Sequence, residues 1–317
     1  MAEAKDIDDS LEFLRHFEKN TENSDLSSLI REKLSLDKKS LNLLGCQLNE
    51  DDFKTIASAS PLNSLSSLNL EQTSLNSTGL QALSNSDCFR NLINLSLSNN
   101  NLDDEALFFL SKCSSLSRLK NISLSSNEIS ALGAKVLSLA EGMNNLEQVD
   151  FSYNRLGPIG IKSLVDSKLG RQLNDIDLRD TGVGDEGLQF LMHLPPLEKI
   201  VRIDLSDNSL THEGMEFLGR SEVFPNLKVL ILNNNYLGDD GVYAMTESSM
   251  FKNLETLIMH NNGLTTDSAI SLSTSKSIKR LRMLDLNNND IRAEGVEALV
   301  GSANMKGMET LDLGENK

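Results

Sequence analysis

The chain has 317 residues and a formal charge of −16, with a pI of about 4.7, enough for one or two ordinary domains or one elongated array. So acidic a chain, with no basic patch, argues against nucleic acid and anionic membranes as partners and favours basic or neutral protein surfaces. No apolar run approaches the length that spans a bilayer. The opening "MAEAKDIDDSLEF" has no apolar signal core. Cys46, Cys88 and Cys113 are odd in number and widely spaced, which suggests neither a disulfide framework nor a zinc site. The composition therefore points to a cytoplasmic protein.

Residues 1–35 stand outside any repeat. "SLEFLRHF" places Leu11, Leu14 and Phe17 on one helical face after Asp8-Asp9-Ser10, and "DLSSLIREKL" places Leu26, Leu29, Ile30 and Leu34 on another after Ser24. The spacing predicts two short helices joined by "EKNTENS". They are expected to form an N-terminal helical cap over the first repeat.

From residue 36 to 317 the chain repeats every 27 residues. The frame is set by Cys46, Thr73, Asn100, Asn127, Asn154, Thr181, Asn208, Asn235, Asn262, Asn289 and Asn316, without an insertion. We call these the ladder positions. An aliphatic residue lies five before each, from Leu41 to Leu311. Leu lies three before, with Phe151 and Met259 as exceptions. That period of two predicts a short strand with one buried face. Apolar residues seven and ten after the ladder position, such as Leu80 with Leu83, predict a helix. Asp103-Asp104-Glu105 and Asp239-Asp240 stand where a helix start has free amides and a positive dipole end. Gly occupies the sixth position after the ladder residue in seven of ten complete repeats: Gly79, Gly133, Gly160, Gly187, Gly214, Gly241 and Gly295. A helical Gly costs about 1 kcal/mol against Ala, so its recurrence predicts close packing on the neighbouring repeat. The array holds ten complete repeats and a truncated eleventh. The eleventh strand, in "METLDLGENK", is expected to offer its edge to another chain or to a continuation.

The stretch "LINLSLSNNNLDDEALFFLS" resembles the leucine-rich repeat, and the Gly and Leu spacing resembles its ribonuclease-inhibitor-like subclass, which commonly runs a residue or two longer. The resemblance covers residues 36–317. It implies an α/β leucine-rich-repeat solenoid, a horseshoe with a concave parallel β-sheet and convex helices. It also implies that the ladder Asn points into the turn after the strand and satisfies buried backbone groups of its own coil and the next. The implied function is a non-catalytic protein-binding scaffold, which fits an effector that an intracellular bacterium injects into its host. One family of GTPase-activating proteins also uses these repeats, and Arg155 and Arg179 would then be the candidates to stabilise phosphoryl charge.

Catalytic and metal constellations are not visible in the sequence. His193 and His212 lie in different repeats with no Cys or His at metal-ligand spacing, and "GPIGIKS" lacks the adjacent Gly and Lys of a phosphate loop. No cofactor is implied. A partner surface is. Strand side chains alternate between core and open face, so the open columns lie six, four and two residues before each ladder position. The middle column runs Asp150, Asp177, Asp204, Ile231, Ile258, Asp285 and Asp312 through its second half. Val229 and Met283 flank the isoleucines one column away, His260 and Arg179 lie in the third column, and Tyr236 stands at the turn edge. The expected site is an apolar island of Val229, Ile231, Ile258 and Met283 between acidic borders, facing a basic and apolar protein surface.

Overall fold

A computed structural model of the protein describes residues 24–316. Eleven three-residue strands form one parallel sheet in strict chain order. Each occupies the positions six to four before its ladder residue. They run from β1 (Ser40–Asn42), β2 (Ser67–Asn69), β3 (Asn94–Ser96) and β4 (Asn121–Ser123) through β5 (Gln148–Asp150), β6 (Asp175–Asp177), β7 (Arg202–Asp204), β8 (Val229–Ile231), β9 (Thr256–Ile258) and β10 (Met283–Asp285) to β11 (Thr310–Asp312). One helix precedes β1 among the described residues, α1 (Ser24–Lys33). Ten more follow the first ten strands, from α2 (Glu50–Ser58) to α11 (Ala293–Gly301). Those used below are α3 (Ser77–Ser84), α6 (Gly157–Val165), α7 (Gly184–Leu191), α8 (His212–Arg220), α9 (Gly238–Glu247) and α10 (Thr266–Thr274).

Packing divides the chain into two units, one ending at Glu128 and including Leu139–Leu146, the other comprising Ile129–Ser138 and everything from Glu147 onward. In the first unit, Leu26 and Ile30 of α1 are buried, and Leu34 makes an antiparallel bridge to Leu41 of β1. The other expected N-terminal helix, with Leu11, Leu14 and Phe17, lies outside the described residues. The strand residues Leu41, Leu68 and Leu95 are buried, as are Leu43, Leu70 and Leu97 after the strands. The second unit repeats the pattern with Ile176, Ile203, Leu230, Leu257 and Leu284, and with Leu178, Leu205, Leu232, Met259 and Leu286. Alternation puts the remaining strand side chains on the sheet's other face.

The ladder asparagines from Asn100 to Asn289 are buried, and they bond backwards along the chain. Asn100 donates from Nδ2 to the carbonyls of Leu97 (3.1 Å) and Ser98 (2.9 Å) in its own coil and to Leu70 (2.7 Å) in the preceding one. Its Oδ1 accepts from the Thr73 and Leu75 amides of the preceding coil, both at 3.0 Å. Asn208 and Asn235 repeat the arrangement in the second unit. The expectation that the bonds run to the next coil is thus corrected. The amides left open by each turn lie within reach of the Asn one repeat later. Thr73 and Thr181 do part of the work, donating from Oγ1 to Leu70 at 2.7 Å and Leu178 at 2.6 Å.

The recurring Gly is explained by close packing, both on the preceding repeat and on the apolar residue four before it in its own. A Cβ at Gly79 of α3 would lie 2.8 Å from a ring carbon of Phe53 in α2, and one at Gly295 3.0 Å from the Cβ of Ala269. At Gly214 of α8 it would strike the carboxylate of Asp185. That carboxylate, on α7, accepts the amide of Thr211 at 2.9 Å and its hydroxyl at 2.6 Å. Asp239 of α9 does the same for Thr265 and also accepts from Ser268, so it caps α10 from the preceding repeat. Burial opposes its ionisation, but the bonds from Ser268 and Thr265 hold its carboxyl below the usual range.

Candidate partner-binding face

Every residue assigned to the partner-binding face lies in the second unit. Parallel pairing sets their neighbours. Asp150 lies beside Asp177 and Asp177 beside Asp204. Asp204 lies beside Ile231, Ile231 beside Ile258, Ile258 beside Asp285, and Asp285 beside Asp312. In the row six before the ladder, Val229 and Met283 both flank Thr256. Neighbouring strands lie about 4.8 Å apart.

The aspartates of the middle row have a local task. Each accepts the backbone N–H two residues on: Ser152 for Asp150 (2.9 Å), Arg179 for Asp177 (3.0 Å), Ser206 for Asp204 (3.0 Å), Asn287 for Asp285 (2.9 Å) and Gly314 for Asp312 (2.9 Å). Asn42 and Asn69 do the same in the first unit. This is the Asx turn, in which a short side chain holds the chain as it leaves the strand. The recurrence of Asp, Asn and Ser two residues before the turn amide was the signal for it in the sequence.

Isoleucine cannot supply that bond, and the structure re-routes it. The Asn233 amide donates to Ser206 Oγ of the preceding repeat at 3.2 Å, and the His260 amide donates to Asn233 Oδ1 at 2.9 Å. His260 Nδ1 then meets the Asn287 side-chain amide at 3.1 Å. A lateral polar chain, Ser206–Asn233–His260–Asn287, therefore borders the isoleucines and leaves no turn amide of theirs open.

Two of the twelve residues do not stand open as expected. Asp204 is 0% exposed. Its Oδ2 receives Arg179 Nη2 at 2.9 Å, with Arg202 Nη2 at 3.6 Å, while Arg202 also reaches Asp175 at 2.8 Å. A buried carboxylate needs such compensation. Of the three consecutive acids Asp150, Asp177 and Asp204, the one beside the apolar island is therefore neutralised. Ile231 is only 8% exposed, enclosed by its in-register neighbours Asp204 and Ile258. The expectation that it lies outside the buried set is corrected.

The other members are accessible. Val229, Ile258, Met283 and His260 are half-buried, as are Asp150, Asp177, Arg179 and Asp285, and Asp312 is exposed. Burial, with Asp204 and Asp150 nearby, pushes the Asp177 carboxyl up to about 6 against the bond from the Arg179 amide. Tyr236 is 72% exposed and lines a shallow hollow at the turn edge with Asp207, Asn234, Asn261 and Gly263. Tyr153, on the same edge, has the left-handed backbone (φ 56°) shared by that position in the other repeats, and its N–H donates to the Arg179 carbonyl at 2.7 Å. Arg155 is exposed at the turn. Among the described residues no group of His, Cys, Asp and Glu could hold a metal ion, and no helix is long and apolar enough to cross a membrane. Burial pushes the Cys88 thiol up to about 12, leaving it inert as a nucleophile.

A family model described as "Leucine Rich repeat" matches residues 142–165, 172–192, 225–245 and 281–300. No curated protein matches the chain. Among solved structures, a TLR13–ssRNA13 complex shares 18% identity at a TM-score of 0.55, with 88% of this chain and 36% of that one covered. A leucine-rich-repeat protein of Leptospira interrogans shares 19% identity at a TM-score of 0.53, covering 93% and 64%. An internalin of Listeria monocytogenes shares 15% at 0.49, covering 94% and 97%. The chain thus spans about a third of the first structure and under two thirds of the second. At these identities the likeness concerns the fold, a leucine-rich-repeat solenoid.

Proposed function

We propose that this leucine-rich-repeat protein is a non-catalytic scaffold that binds a protein partner on the open face of strands β5–β11. The observation that carries this reading is the re-routed polar chain. Two isoleucines displace the turn-capping acid only where Ser206 and Asn233 supply replacement acceptors. The result is an apolar patch of Val229, Ile258 and Met283, with Ile231 beneath, on a face otherwise lined by polar residues. Apolar anchors in a desolvated centre usually carry binding energy, and surrounding charges steer and select. The partner surface is basic and apolar, because Asp285 and Asp312 border the patch with no cationic partner among the described residues. The array is of the ribonuclease-inhibitor-like kind, supported by a helix in each complete repeat and the recurrent Gly at its start. The reading as a GTPase-activating protein is weakened because Arg179, one of its two candidate arginines, is tied to Asp204.

The test compares capture of partners by the parent chain, by Ile258→Ser with Met283→Ser, and by Ile159→Ser, at an exposed residue of α6, as a control. The double variant should lose about a hundredfold in affinity for the captured protein, ~2.7 kcal/mol, with an unchanged circular dichroism spectrum. The control should bind like the parent. Equal binding by all three would place the site elsewhere.

A further inference from the structure

Resting on that reading, the structure also bears on the shape of the occupant. The apolar side chains lie in two rows, Ile231 and Ile258 in one and Val229 and Met283 in the other. The rows are two residues apart along each strand, about 7 Å. An extended segment crossing the strands covers one such row. A helix about 10 Å across covers both. Side-chain spacing agrees. An extended segment presents one residue to the face every ~6.8 Å, against a strand interval of ~4.8 Å. A helix presents one turn every 5.4 Å, so it stays close to one turn per strand from β6 to β10.

Charge then fixes the order of side chains along it. Asp177 lies two strands before Ile231, and Asp204 between them is neutralised by Arg179 and Arg202. On the other side Asp285 adjoins Ile258 directly and Asp312 follows. Asn233, His260 and Asn287, held by their lateral bonds, form a fixed polar border along the helix.

We propose that the partner contributes an amphipathic α-helix laid across strands β6–β11, one turn per strand, with two apolar turns over β8 and β9, packed on Val229 and Ile258 with Ile231 beneath, and cationic turns on Asp177 and on Asp285 and Asp312. Numbered from its first apolar residue, the helix carries apolar side chains at i and i+4, a cation at i−7, and cations near i+7 and i+11. Its two ends are cationic and its centre apolar.

The full chain is titrated with three labelled Ala-rich synthetic peptides, read by fluorescence anisotropy at low salt. One carries Leu at i and i+4 with Lys at i−7, i+7 and i+11. The second has the same composition with its two Leu at i−7 and i+7 and its three Lys at i, i+4 and i+11, and the third is the first with Pro at i+2. The patterned helix should bind at least about tenfold tighter than either, ~1.4 kcal/mol, and Ile258→Ser should abolish that advantage. Equal binding of the exchanged peptide would reduce the face to a charge effect. Equal binding of the Pro peptide would mean an extended occupant. An advantage kept in Ile258→Ser, or no detectable binding of the patterned helix, would also overturn the proposal. A captured protein that the double Ser variant releases, alongside any of these results, would leave the sheet face as the binding site and remove only the helix.

Discussion

At the last residue of the strand, β7 carries Asp204 and β8, one repeat later, carries Ile231. Both are buried, and both end a strand whose next turn needs an acceptor for a backbone N–H. In β7 the acceptor is the aspartate itself, which must then be neutralised by Arg179 and Arg202. In β8 the acceptor comes from Ser206 of the repeat before, and no charge is buried. The same position can thus be ionic or apolar, and the choice is set by its neighbours. An acid in this row has first to be read as a turn cap, whereas an aliphatic residue there needs a substitute cap from elsewhere.

The comparison breaks most sharply at Asp204. Asp204→Ala leaves two guanidinium groups facing an empty site and the Ser206 amide without its acceptor. Removing one partner of a buried ion pair costs about 3–5 kcal/mol. Asp285→Ala, in the same row but half-exposed and without a cationic partner among the described residues, loses one turn bond, worth about 1 kcal/mol. Urea unfolding of the two variants should show that difference in midpoint. Equal losses would mean that the Arg179–Asp204–Arg202 cluster contributes nothing beyond the turn.

The re-routed bonds can be tested by exchange. Asn233→Ala removes the acceptor of the His260 amide and should cost about 1–3 kcal/mol, the penalty for a buried donor left unsatisfied. Ile258→Asp would restore an Asx-turn acceptor two residues before His260, as Asp285 does for Asn287. Added to Asn233→Ala it should recover at least half of the loss, whereas alone it should destabilise. A double-mutant cycle measures the coupling. Additive effects would show that the two caps are not alternatives.

Much of the fold was legible because a constant 27-residue period forces each side chain to play the same part eleven times. Leu95, Ile122 and Ile176 read as buried strand residues, and Gly79 as a packing site, from register alone. The direction of the ladder was not legible, since the letter Asn does not say which coil its amide reaches. Nor was the burial of Asp204. It depends on Arg179 and Arg202, which stand in the rows on either side of it, so no single column of the repeat carries the signal. The burial of Ile231 was not legible for a related reason. Alternation says which face a side chain leaves from, but how far its neighbours enclose it is a property of the rows.

The smallest effect distinguishes Asp177 from Asp204, its neighbour in the row. Asp204 has two arginines against its carboxylate, whereas Asp177 is partly buried beside two carboxyls, which outweighs its bond from the Arg179 N–H and the Arg179 charge, so its pKa is raised to about 6. The folded state therefore binds this proton more tightly than the unfolded chain, whose Asp titrates near 3.9. Ionising Asp177 costs stability as pH rises from about 4, and the cost is complete above about 6. Asp177→Asn keeps an oxygen for the Arg179 amide and removes that cost. After discounting for its partial exposure, the variant should gain on the order of 1 kcal/mol at pH 7.5 and nothing at pH 4. Thermal unfolding at the two pH values reads this directly. A gain equal at both would trace the effect to packing. Loss of stability at pH 7.5 would mean that the carboxylate is held by a favourable field. A basic partner on this face would lower the Asp177 pKa, so its affinity for the parent chain should fall as pH drops through 6, and it should not do so for Asp177→Asn.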